Sequence, residues 1–178
     1  MFLVALAAAA ESPHSITGAF GYVLGQAPPA KVATCNRTWL AQLRMTEFGC
    51  PGDSFFTGFA VSTRRNQVTS ILAFRRYPAA QPGAFAACLA DVNRLNAQVR
   101  RDNPGLAEAE NKSATFEFSE SLVHGRWAAG HHITGNCDPK PRPSFSAGDY
   151  FLLTLSYRVS PEEDIALHKL DQAEFGIK

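Results

Sequence analysis

Residues 55–103, FFTGFAVSTRRNQVTSILAFRRYPAAQPGAFAACLADVNRLNAQVRRDN, hold two strand patterns followed by the strongest helix pattern of the chain. Phe55, Thr57, Phe59 and Val61 alternate with Phe56, Gly58, Ala60 and Ser62, the period of two that a half-buried strand requires. Arg64-Arg65-Asn66-Gln67 is a polar turn, and Val68 to Arg76 resumes the alternation with Ile71, Leu72 and Phe74. Together these predict a β-hairpin. Pro82 suits the first helical position, where its missing N–H has no intrahelical partner. Phe85, Cys88, Leu89, Val92, Leu95 and Val99 then recur at helical spacing along one stripe. Arg100 and Arg101 fall where the helix dipole favours cations, and Asn103-Pro104-Gly105 stops the helix. One apolar stripe needs an apolar surface to cover, and a half-buried hairpin offers one.

Outward from this stretch, residues 16–24 read as a strand interrupted by glycines, and residues 31–43 lean towards a strand ended by the turn cluster at 49–53. Residues 106–112 are polar and predict an exposed connection. Residues 115–118 and 122–127 read as two strands separated by Ser119-Glu120-Ser121. From 128 to 148 the composition shifts to Gly, His, Pro, Asn and Asp, which predicts a long loop of the kind that carries function. Residues 150–159 are apolar on both faces, as a central strand requires. Ser160-Pro161-Glu162-Glu163 opens a terminal helix with a cap, a proline at the first position and a capping-box glutamate. The expected fold is α+β: an antiparallel sheet of about five to seven strands, the 82–103 helix packed on one face and a C-terminal helix over 160–175.

The chain has 178 residues, 46% hydrophobic and 19% charged, which suits one folded domain over 11–178 and argues against disorder. A net charge of +1 gives no footprint for nucleic acid. Phe2 to Ala10 is an apolar run, and Ala8-Ala9-Ala10 before Glu11 fits a cleavage site, so residues 1–10 read as the remnant of a signal peptide. The run is too short to span a bilayer, and no transmembrane segment is expected. The expected location is periplasmic or secreted. Cys35, Cys50, Cys88 and Cys137 agree with export, having no zinc-like spacing. Four cysteines allow three pairings; the pairing expected is Cys35–Cys50 as a local staple and Cys88–Cys137 from the helix to the later loop.

Gly18-Ala19-Phe20-Gly21-Tyr22-Val23-Leu24-Gly25 matches neither phosphate-loop spacing. In its G-x-F-G-x-x-L-G pattern, and in Leu155-Ser156-Tyr157 late in the chain, the sequence resembles uncharacterised exported bacterial proteins of the periplasm. The resemblance implies an envelope location and supplies no activity or site residues.

Candidate chemistry gathers at 124–138. Imidazoles and carboxylate suit zinc, copper or nickel, which makes His124, His131 and His132 the candidate metal ligands; no other cofactor is expected. Adjacent histidines on a strand point to opposite faces, so an irregular loop is needed for both to ligate. The hydrolase motifs G-x-S-x-G, H-E-x-x-H and S-x-x-K are absent. Trp127 beside Arg126 offers a binding surface, since both residue types are enriched at interface hot spots. The function expected is a non-catalytic binding or interaction module of the cell envelope. Its working surface would be the 128–146 loop, with Trp127, Arg126, His131 and His132 contacting an envelope protein or a small ligand. A metal-binding protein using 124–138, or a hydrolase without a recognisable motif, are the alternatives.

Overall fold

The expected hairpin forms, as the fifth and sixth strands of the chain. The small strands β1 (Gly18–Ala19) and β2 (Tyr22–Val23) come first, then β3 (Asn36–Leu40), β4 (Met45–Gly49), β5 (Gly58–Arg64) and β6 (Gln67–Pro78). The hairpin is β5 with β6, in the register Phe59↔Ala73 and Val61↔Ile71. At its turn Arg65 and Asn66 both take positive φ, 48° and 59°, the type I′ geometry whose twist matches the flanking strands. Phe55 and Phe56 precede β5 rather than open it, and pack against the core. The computed structural model of the protein describes residues 16–30, 36–40, 45–49, 55–144 and 148–175.

Helix α1 (Ala84–Asp102) begins two residues later than expected, because Gly83 occupies the cap position at φ 77° and leaves Pro82 in the preceding turn. Ala84, Cys88, Val92, Leu95 and Val99 form its buried stripe. Then follow β7 (Ala107–Lys112), β8 (Thr115–Val123), β9 (Trp127–Cys137), β10 (Tyr150–Arg158) and α2 (Pro161–Phe175).

The main sheet has eight strands in the order β3-β4-β5-β6-β10-β9-β8-β7, each pair antiparallel. Two four-strand meanders, joined in sequence by α1, meet at a seam where β10 pairs with β6 from Tyr150↔Pro78 to Arg158↔Ser70. The central position expected for β10 is thereby met. One face buries Phe59, Val61, Ile71, Ala73, Phe116, Phe118, Ile133, Cys137, Leu153 and Leu155. On that face α1 covers one end, and the 16–24 segment covers the other, with Phe20 stacked on Phe59 at 4.7 Å between ring centroids. This segment is a tight hairpin rather than one strand, since Phe20 and Gly21 turn it at φ 55° and 80°.

Three sequence readings are corrected here. Residues 107–112 form the edge strand β7, whose charged residues suit an edge by discouraging further pairing. Residues 128–137, expected to open a loop, belong with Trp127 to the eleven-residue strand β9. Its glycines serve the sheet. A Cβ at Gly135 would overlap three atoms of the Phe116 ring, the farthest at 2.9 Å. Gly130, at φ 75°, sits in a bulge described below. The 119–121 break is likewise absent, and β8 runs through it.

The Cys88–Cys137 disulfide forms, S–S 2.09 Å, and ties the buried stripe of α1 to the end of β9. Cys35 and Cys50 lie outside the described residues, as does the 1–10 segment. No described helix is long and apolar enough to cross a membrane.

Candidate functional site

The β8–β9 hairpin carries most of the residues singled out from sequence, and a bulge decides where they point. Ser119 pairs with His132 and Ser121 with Ala129, so β9 advances three residues while β8 advances two. Gly130 supplies the left-handed residue of this bulge. Glu120 faces it, accepting the His131 backbone N–H at 3.0 Å and the Ile16 N–H at 2.9 Å. The His131 ring then reaches the Ile16 carbonyl through Nδ1 at 2.9 Å and the Glu163 carboxylate through Nε2 at 3.2 Å. Both ring nitrogens therefore face acceptors of the protein itself. His131 braces the 16–24 segment, β9 and α2 together, and its ring has no position left for a ligand.

That brace explains a departure in α2. The Ser160 hydroxyl caps the helix as expected, accepting the Glu163 N–H at 3.0 Å. The Glu163 side chain, expected to reach back to the Ser160 amide, is instead committed to His131. Half of the capping box has been exchanged for a tertiary link.

His132 points to the other face. There it lines a cavity of about 540 Å³ with Ser62, Ser70, Arg64, Arg158 and the start of α2. Burial, and then the Arg158 guanidinium, hold its imidazole below the ordinary value of 6.5, the Gly130 carbonyl opposing them and His131 adding to them. The unfolded chain takes up this proton more readily than the folded chain. Stability from this group is thus full above pH 6.5 and is lost as the pH falls through the lower folded value. Replacing His132 with Gln should flatten that part of the slope when melting temperatures of the two proteins are compared from neutral to mildly acidic pH. An unchanged slope would mean that another group sets it.

His124 lies in the turn of the same hairpin. With Gly125 it takes positive φ, 53° and 68°, and the Arg126 N–H closes the turn on the Val123 carbonyl at 3.2 Å. The three candidate metal ligands are therefore dispersed: His124 in an exposed turn, His131 on the core face, His132 on the opposite face. Among the described residues no group of three or more His, Cys, Asp or Glu is arranged to hold a metal ion. Cys137 is spent in its disulfide, and Asp138 accepts the Lys140 N–H and the Arg142 guanidinium, both at 3.1 Å. Those two contacts, the Lys140 amide first, hold the Asp138 carboxyl below its ordinary range.

Trp127 and Arg126 stay together at the hairpin tip. Trp127 is 71% exposed, and Val123, paired across from it, is 40% exposed. Sequence reading missed Arg158, Glu120 and Glu163. The signal for Arg158 was present in β10, where Thr154, Ser156 and Arg158 make a polar row at the strand period. No protein-family model matches the chain, and no curated protein or solved structure matches it either.

Proposed function

We propose that the chain is an exported, non-catalytic binding module that engages a protein of the cell envelope through the tip of the β8–β9 hairpin. The observation that carries this reading is Trp127, 71% exposed on a turn whose backbone is fixed by the type I′ geometry and the Val123↔Trp127 pair. An indole left in water adds nothing to folding, while the same ring pressed into a pocket of a partner is the commonest kind of interface anchor. Arg126 beside it and Val123 across from it extend that surface. Because strand pairing already orders the tip, little conformational entropy is lost when it docks. The 128–146 loop expected to do this work is strand up to Cys137, and of the residues expected to make contacts Trp127 and Arg126 keep the role.

Export is supported by the buried Cys88–Cys137 bridge, since disulfides persist in oxidising compartments. The apolar run before Glu11 supports it too. Affinity capture from an envelope extract, with wild type beside Trp127→Ala and Arg126→Ala, tests the surface. The Trp127 variant should retain the wild-type melting temperature and lose the partner by about tenfold or more, the weight of a hot-spot anchor. Capture of the same partner undiminished by both substitutions would place the surface elsewhere.

A further inference from the structure

The face of the sheet away from α1 ends in the 540 Å³ cavity beside α2, and one transverse row of residues furnishes it. Ser62 lies across from Ser70, Ser70 from Arg158, and Arg158 from His132, so four neighbouring strands deliver two hydroxyls, a guanidinium and an imidazole to one wall. Arg64 stands at the rim. Its charge is met by Asp164 and Asp171, each at 3.4 Å. Asp164 is the carboxylate in the lining, and this pairing keeps it from neutralising Arg158.

Arg158 has no such partner. Among the described residues it makes no ion pair; its Nε donates to the Ser156 hydroxyl at 3.1 Å, and Glu117 acts on it only through space. A guanidinium carries five N–H donors, so those on its two terminal nitrogens remain to be used. His132 has an unmet need as well: Nδ1 is buried and makes no hydrogen bond. A buried polar atom without a partner costs stability.

We propose that this cavity binds a small polyhydroxylated oxyanion, a sugar bearing a carboxylate or a phosphate. Arg158 holds the charged group through paired N–H bonds, the arrangement in which planar guanidinium and oxyanion fit best. The Ser62 and Ser70 hydroxyls meet the hydroxyls of the ring, and the His132 imidazole forms the wall beside Arg158. The volume lies in the range of small-molecule sites and exceeds what a bare inorganic ion fills. The site lies on the sheet face and owes nothing to the hairpin tip, so either can fail without the other.

Calorimetric titration of the full chain with glucuronate, glucose 6-phosphate, glucose and inorganic phosphate tests it. Saturable binding is expected for one of the two charged sugars, which identifies the oxyanion, and none for glucose. Arg158→Gln should weaken that binding about tenfold or more, as loss of a bidentate charged contact does, with an unchanged melting temperature because the side chain is exposed. Combined Ser62→Ala and Ser70→Ala should weaken the charged sugar and leave inorganic phosphate unaffected. Neither charged sugar binding at millimolar concentration, or an Arg158→Gln protein that binds as wild type does, overturns the assignment. Inorganic phosphate binding as tightly as the sugar, with the serine variant unchanged, shows an adventitious ion only and overturns it too.

Discussion

Gly135→Ala should destabilise the protein by about 3 kcal/mol, at the upper end of what one added methyl costs in a packed core. The reason lies in what already occupies the place of its side chain. Phe116 is fully buried and lies over Gly135 from the adjacent strand, so a new Cβ would meet its ring rather than space. The ring sits on the face that α1 covers, beside Phe118 at 5.8 Å between centroids, and has no solvent route of escape. For a chain of this length, a thermal melt should show the midpoint falling by about 6–12 °C. Phe116→Leu in the same chain should return part of that loss, and the pair should be strongly non-additive. Additive effects would mean that the alanine is accommodated by moving the backbone of β9 instead.

Loss of the Cys88–Cys137 bridge should cost about as much or more. The bridge spans 49 positions of sequence, for which loop-closure entropy gives about 4 kcal/mol. Both residues are fully buried, so alanines at the two positions also leave a small void. Urea unfolding should place the doubly substituted protein about 4 kcal/mol below the oxidised wild type. Wild type unfolded in the presence of reductant should approach it. A wild-type transition that ignores reductant would show that the bridge does not form in the isolated protein.

These two sites also show how far the sequence could be read. The β5–β6 hairpin was legible because Phe59 and Val61 on one strand and Ile71 and Ala73 on the other obey the strand period, and because Arg65-Asn66 is a turn with a mechanism. Helix α1 and the cap of α2 were legible for similar local reasons. The Cys88–Cys137 pairing was one of the three that four cysteines allow, and the structure forms it. Strand β9 was not. Its Gly130, Gly135 and paired histidines have the composition of a loop, and only the tertiary neighbours explain them: Glu120 at the bulge, Phe116 over the glycine. The expected histidine surface failed for the same reason. Once 127–137 is a strand, His131 and His132 must part, one to a core brace with Glu163 and the other to the cavity with Arg158. Glu163 was misread because a local rule, the capping box, was outcompeted by a residue 32 positions away. Long-range partners leave no periodicity to find.

The seam between the two meanders has a consequence for how the chain reaches this state. Most of the main sheet closes by hairpins between successive strands, contacts that a growing chain can make locally and early. β10 is the exception, since it bonds both to β9, its predecessor, and to β6, laid down before α1. Such non-local pairing is slow, because loop entropy is surrendered before any contact rewards it. Until β10 docks, β6 and β9 each present an open edge of unpaired amides and carbonyls. The last-made strand is therefore the keystone, and the interval before it arrives is when one copy of the chain is most exposed to pairing with another.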